Sequence, residues 1–267
     1  AVGDNVVDCY LDDHVYYPGG NAVNVAVNCR RDGIEDVAYI GMFGNDGKAE
    51  HLKWALTQEN VHFERSRTMY APSGSPGVRL IDGDRKFVGG PRNTAQHLAR
   101  IRLTPEDLDY IEQYGLCHTS CFSSIEYELP EMAKRCQVSF DFSERIDPDY
   151  LARVCPYVTY AFFSGSHMTQ EEIEALMDRC HALGTKVVGV TLGSRGSIFS
   201  EEGKRCHQGI VPVEAIDTMG AGDSFIAGFL TRRILGDGME DALRFAATAA
   251  ANTCKFHGGF GYPHPLD

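Results

Sequence analysis

The chain has 267 residues, 43% of them hydrophobic, and a formal net charge of −12; that is enough apolar material for one large α/β domain or two modest ones. The charge, with no cluster of Lys and Arg, argues against a nucleic-acid partner, whose binding draws on counterion release. No stretch reaches the roughly 18 consecutive apolar residues of a spanning helix, and Ala1 to Asp8 carry charge where a signal peptide is apolar, so the expectation is a cytoplasmic protein without a membrane partner.

The lack of an initiator Met, with a first strand that begins part-way, suggests that a few residues precede Ala1. Nine cysteines run from Cys9 to Cys254 without a CxxC pair. An odd, scattered set reads as reduced thiols used as small core residues. Cys117 and Cys121, the nearest pair, lie in an apolar strand-like segment, which favours packing over zinc ligation.

In chain order, the first strand ends in Gly3-Asp4-Asn5-Val6-Val7-Asp8, and Cys9 to Tyr17 follows as a short strand-like segment. Gly19 and Gly20 lead into an amphipathic helix that runs to Arg31 and stops at Gly33. The helix after Asp46 carries Trp54, the only tryptophan, expected in the core. Gly77 to Ile81 and Arg85 to Val88 flank Asp82-Gly83-Asp84, a β-hairpin signal. With Cys9 to Tyr17 they predict a small β lid, from about 9–18 and 70–90, on a single domain spanning 1–267. Thr104-Pro105-Glu106-Asp107 predicts a capped helix start.

From Gly115 onward, strands (Gly115 to Ser120, Gln137 to Asp141, Tyr157 to Phe163, Lys186 to Leu192) alternate with helices. The helices are Glu126 to Arg135, Thr169 to Leu183, Ala221 to Leu235 and Met239 to Phe256. Thr169 to Glu172 reads as a capping box, and Gly184 and Gly236 sit where helices stop. Such alternation predicts an α/β fold with a mostly parallel, doubly wound sheet, helices on both faces and a site at the carboxyl ends of the strands.

The segment richest in chemistry is Asp217-Thr-Met-Gly-Ala-Gly-Asp223-Ser-Phe. Gly220 and Gly222 let backbone approach a ligand, so that N–H groups converge on an anion at a helix mouth. Asp223, in the first turn, can accept a proton from an attacking hydroxyl. Spacing alone is equally a Gly-rich turn capped by Asp. Asn24 offers donor and acceptor to a polyol, or else serves helix packing. Single histidines such as His14, His62, His118 and His257 read as packing or surface residues.

These residues resemble the ribokinase-like (PfkB) carbohydrate kinases. DTMGAGDSF is similar to their C-terminal signature, and Gly19-Gly20-Asn21-Ala22-Val23-Asn24-Val25-Ala26 to their N-terminal one, in the right order and covering almost the whole chain. The resemblance implies ATP and Mg²⁺ as cofactors, Asp223 as base, and Gly220, Ala221 and Gly222 as the anion hole. Gly19, Gly20, Asn24 and Asp8 would hold the sugar, with Asp4 more ambiguous. Val190-Thr191-Leu192-Gly193-Ser194-Arg195-Gly196-Ser197 resembles the nucleotide loop, placing Thr191, Gly193 and Gly196 near ATP. Asn252 falls on the adenine side. Asp217 and Thr218 would lie at the loop that often binds a monovalent cation such as K⁺. Family members often dimerise through the lid, which implies a homodimer.

The chain departs from the family where an Asn-x-x-Glu motif commonly helps organise magnesium. Ser164-Gly165-Ser166-His167 stands there, and Glu171 or Glu172 could substitute, although both fit helix capping better. Ser143 and Arg145 stand where the family often shows Asn and Arg. Within the family the motifs most resemble bacterial fructoselysine 6-kinases, implying a fructosamine acceptor and a 6-phosphate product. Asp12 and Asp13 would add an acidic rim suited to an ammonium group. Fructokinase, 2-keto-3-deoxygluconate kinase and nucleoside kinase remain alternatives, as does a non-catalytic sugar or nucleotide sensor.

Overall fold

The computed structural model describes residues 1–81 and 84–266. Its N-terminal part runs through β1 (Val2–Gly3), β2 (Val6–Tyr10), β3 (Val15–Gly19), α1 (Asn21–Arg31), β4 (Ile40–Phe43), α2 (Gly47–Gln58), β5 (Arg67–Thr68), β6 (Gly77–Ile81) and β7 (Asp84–Phe87). The middle holds α3 (Ala95–Leu98), α4 (Pro105–Glu112), β8 (Leu116–Ser120), α5 (Leu129–Met132), β9 (Gln137–Asp141), α6 (Pro148–Val154), β10 (Tyr160–Ser164) and α7 (Gln170–Ala182). The rest comprises β11 (Val187–Thr191), β12 (Ser197–Glu201), β13 (Lys204–Gln208), α8 (Ala221–Ile234), α9 (Met239–Thr253) and β14 (His264–Pro265).

β10 shows why the central sheet is covered twice. In Tyr160–Ser164 every residue but the last is buried: Tyr160 and Phe162 pack with α1, α8 and α9, while Ala161 and Phe163 face the opposite core with α5, α6 and α7. A strand apolar at successive positions has no solvent face to offer, so helices must lie on both sides. The six-stranded sheet has the order β13-β12-β11-β10-β9-β8, with β8 to β11 parallel and β12 and β13 joining antiparallel. β1 lies beside β8 and pairs in parallel with β4.

A separate five-stranded sheet has the order β14-β3-β2-β6-β7. The expected hairpin is β6 with β7, antiparallel; Asp82 and Gly83 of its turn lie outside the described residues. Cys9 to Tyr17 is not one strand. β2 and β3 pair antiparallel across a turn in which His14 has φ 54°, so the first core strand ends at Gly3, and Asp8 belongs to the smaller sheet. The helix expected over Glu126 to Arg135 contracts to Leu129–Met132, since Pro130 can only sit in a first turn. Trp54 is on α2 but 48% exposed, stacked on His51, which corrects its core assignment. Thr104 with Asp107 and Thr169 with Glu172 form capping boxes, and Gly184 and Gly236 end α7 and α8 at positive φ.

Candidate active site

Where α8 begins, Gly220 caps the helix in the left-handed region (φ 73°), and a Cβ there would meet the Gly259 Cα at 2.5 Å. Glycine alone meets both demands. The Ala221 N–H donates to the Thr218 carbonyl (3.2 Å), whereas the amides of Gly220, Gly222 and Asp223 have no acceptor among the described residues. Of the expected set the Ala221 amide is engaged within the turn, while the Asp223 amide, outside that set, is not. A Cβ on Gly222 would meet nothing within 4 Å, and Gly222 and Asp223 line an open space at the positive end of the helix dipole.

That space is a cleft of about 590 Å³ whose floor carries Asp4, Asp8, Asn21, Asn24, Asp141 and Asp223. The Asp223 carboxylate accepts from Asn21 Nδ2 (2.8 Å) and Asn24 Nδ2 (2.6 Å). Burial, reinforced by Asp141 and Asp4 and opposed by the amide donors, pushes its pKa up to about 7. Asn24 thus donates one Nδ2 hydrogen bond to the carboxylate while lining the cleft. Its Oδ1 is buried without a partner, pressed against Gly259.

Asn21 is the centre that sequence reasoning did not single out. Its Nδ2 also donates to Asp141 Oδ2 (2.8 Å), bridging two carboxylates, and its Oδ1 faces His118 Nε2 (2.9 Å). Because the amide oxygen can only accept, Nε2 carries the proton and Nδ1 accepts from Ser139 Oγ (2.9 Å). Burial lowers the His118 pKa to about 3, so the ring is a neutral clamp on the amide. Burial also lifts Asp141 to about 6, against the Ser143 N–H that donates to it. Asp141 ends a parallel strand, the place where α/β sheets put ligands, and that was the available signal.

Behind Gly19 and Gly20 the α1 mouth is closed by Asp4, which accepts from the amides of Asn21 (2.7 Å) and Ala22 (3.3 Å). A side chain on Gly19 would collide with the Asp8 carboxylate, while Gly20 lines the cleft. Asp8 is buried, its carboxylate makes no hydrogen bond among the described residues, and it lines the cleft. Burial, with Asp4 and Asp217 adding, raises its pKa to about 7. Asp12 is paired with Arg79 and, like Asp13, does not line the cleft, so the expected acidic rim is absent there.

The segment resembling a nucleotide loop lies one strand over, with Thr191 in register with Ser164 of the cleft wall. Thr191 Oγ1 donates to the Phe163 carbonyl (3.2 Å). Gly193 and Gly196 bound a single helical turn, from which the Arg195 guanidinium reaches the carbonyls of Ser166 (2.9 Å) and Met168 (3.3 Å). That clasp was not foreseen. Asn252 is exposed on α9 and accepts from Lys255 Nζ (2.8 Å); it does not line the cleft. The Asp217 carboxylate takes Tyr10 Oη (2.5 Å) and the amides of Met219 and Gly258 (both 3.1 Å). It ties β2 to the α8 loop; Thr218 is exposed. Arg145 lies over the Tyr150 ring at 4.9 Å, on an aromatic face and not in the cleft.

An anion-ready helix mouth beside a hydroxyl-accepting carboxylate fits phosphoryl transfer, and the comparisons agree. A model of the pfkB family carbohydrate kinases matches residues 4–263. The chain belongs to that family. It is 46% identical to a fructosamine kinase, FrlD, of Bacillus subtilis (strain 168), covering 99% of this chain and 93% of the relative. It is 35% identical to a fructoselysine 6-kinase of Escherichia coli (strain K12), over 97% and 98%. In fold it is similar to an Arabidopsis thaliana ribokinase complexed with ribose and ATP: TM-score 0.81, 22% identity, 96% and 92% coverage. A Thermotoga maritima ribokinase superposes with TM-score 0.77 at 21% identity, over 97% and 93%. The chain is thus a sugar phosphotransferase on a ribokinase-like fold.

In this kinase, Ser164 lines the cleft where family members commonly show Asn, and His167 is exposed. Glu172 accepts from the Thr169 amide as a helix cap (2.9 Å). Asn21 brings the Asp141 and Asp223 carboxylates together, and Ser164 lines the same cleft, so the oxygen donors there are carboxylates and a hydroxyl. That suits a magnesium ion, which keeps several waters and is usually held by one or two carboxylates plus phosphate oxygens.

Proposed function

We propose that this kinase transfers the γ-phosphoryl group of ATP to the 6-hydroxyl of a fructosamine such as fructoselysine. The observation that carries the chemistry is the Asp223 carboxylate, held by two amides beside the free N–H groups at the α8 mouth. Asp223 takes the proton from the primary hydroxyl as its oxygen bonds to the γ-phosphorus; the bond to the β–γ bridging oxygen breaks, ADP leaves, and the proton passes from Asp223 to solvent. The amides of Gly220, Gly222 and Asp223 face the charge that builds on the transferred group. Magnesium, held through Asp141 and Ser164, would neutralise phosphate charge.

The acceptor's hydroxyls meet Asp8, whose lack of a protein partner leaves it free to accept them. The five-stranded sheet acts as a lid: Pro76 and Phe87 bring its β6–β7 side over the cleft, where excluded water cannot compete for the phosphoryl group. Thr191 and Gly193 border the ATP side. The fructosamine acceptor is supported by the relatives named above and by the carboxylate floor, which suits a cationic amine. The test is kcat/KM for fructoselysine, other fructosamino acids and free fructose. Preference for a fructosamine by about 100-fold or more is expected; a preference for free fructose sinks the reading.

A further inference from the structure

The cleft is electrically lopsided. Its floor holds Asp4, Asp8, Asp141 and Asp223, and among the described lining residues the single Arg or Lys is Arg92, at the rim. Arg92 is exposed and makes no hydrogen bond or ion pair among the described residues. Its loop is nonetheless anchored on both sides. The Gly77 amide donates to the Gly89 carbonyl (2.6 Å), and the Ala95 amide to the Pro72 carbonyl (2.9 Å), beside fully buried Thr94. A cation on fixed backbone, unpaired and facing a cleft, is placed for an anion that arrives with the ligand. Phe87 and Phe122 line the same cleft while 60% and 58% exposed, apolar walls left more than half open.

We infer that Arg92, with Phe87 and Phe122, forms a subsite for the amino-acid part of the acceptor: the guanidinium holds its α-carboxylate and the rings cover its methylene chain. This rests on the fructosamine reading. Such a ligand is cationic at its secondary amine and carries a carboxylate beside an ammonium at its far end, so the amine matches the acidic floor and the carboxylate the basic rim, whereas a plain hexose offers Arg92 nothing. The subsite selects glycated amino acids over glycated amines.

The decisive comparison is fructoselysine against the fructosamine of 1,5-diaminopentane, which lacks only the carboxylate. Wild-type enzyme should favour fructoselysine by about 10- to 100-fold in kcat/KM, the worth of one charge-assisted bidentate contact. Arg92→Met should remove most of that preference by raising KM for fructoselysine, with KM for ATP unchanged and less than about threefold loss on the decarboxylated acceptor. Arg92→Lys should restore part of it. Equal losses on both acceptors, or a raised KM for ATP, would show that Arg92 serves the nucleotide or the loop and would overturn the subsite alone. Wild-type enzyme without preference between the two acceptors also overturns it. A wild type that prefers free fructose to both overturns the fructosamine reading, and the subsite with it.

Discussion

Asp223→Asn separates chemistry from stability and should move them in opposite directions. Losing a general base lowers kcat by about 10²–10⁴, equivalent to about 3–5 kcal/mol on the barrier. Binding of ATP should change little, because the N–H groups at the α8 mouth are backbone. Folding responds differently. The pKa of Asp223 is raised from 3.8 to about 7, so the native state holds its proton more tightly than the unfolded chain does. Stability from this group is complete below about pH 4 and lost as pH rises through about 7. Roughly three units correspond to about 4 kcal/mol at most, and water in the open cleft reduces this to about 1–2 kcal/mol. One of the two donors from Asn21 and Asn24 would face the new amide's NH₂, offsetting part of the gain. Urea denaturation at pH 4 and pH 8 reads this: the variant should match wild type at pH 4 and exceed it at pH 8. In wild type, kcat/KM should rise as pH passes upward through about 7, when the base ionises. A variant that keeps more than a tenth of wild-type turnover, or is less stable than wild type at pH 8, refutes the assignment.

Gly220→Ala puts a Cβ at positive φ against Gly259; kcat/KM for ATP should fall by about 10-fold or more with about 1–2 kcal/mol of stability, measured by kinetics and melting. Asp107, its side chain fully buried, accepts from Arg65 and Arg67 and closes the α4 capping box. Asp107→Ala should cost about 1–3 kcal/mol in denaturant titration, because the two arginines left behind are about one-third exposed, while leaving kcat unchanged, since it lies outside the cleft.

The fold was legible where local and global signals agree. Gln137 to Asp141 appears as β9 with the expected bounds, because an apolar run between helices admits one role. The β12–β13 hairpin was not seen: Ser197 was read into the preceding loop, and the turn of Glu202 and Gly203, both at positive φ, passed unread. In the site, Asp223 announces itself through its neighbours in sequence. Asn21 and His118 do not. They meet across a separation of 97 residues, and Asn21 meets Asp223 across 202; such pairings exist only after the sheet has formed. Asn24 offers a versatile amide in sequence, and only the tertiary fold reveals that one of its hydrogens goes to Asp223.

Gly259 is the thinnest piece of the active site. Its backbone lies against Gly220 of the α8 mouth on one side and Asn24 of α1 on the other, so the spacing between the phosphate-facing amides and the residues that hold the base is the width of one bare peptide. A shim without a functional group sets the alignment of two machines. A saturation library scored for turnover would therefore flag position 259, although a search for reactive side chains passes over it.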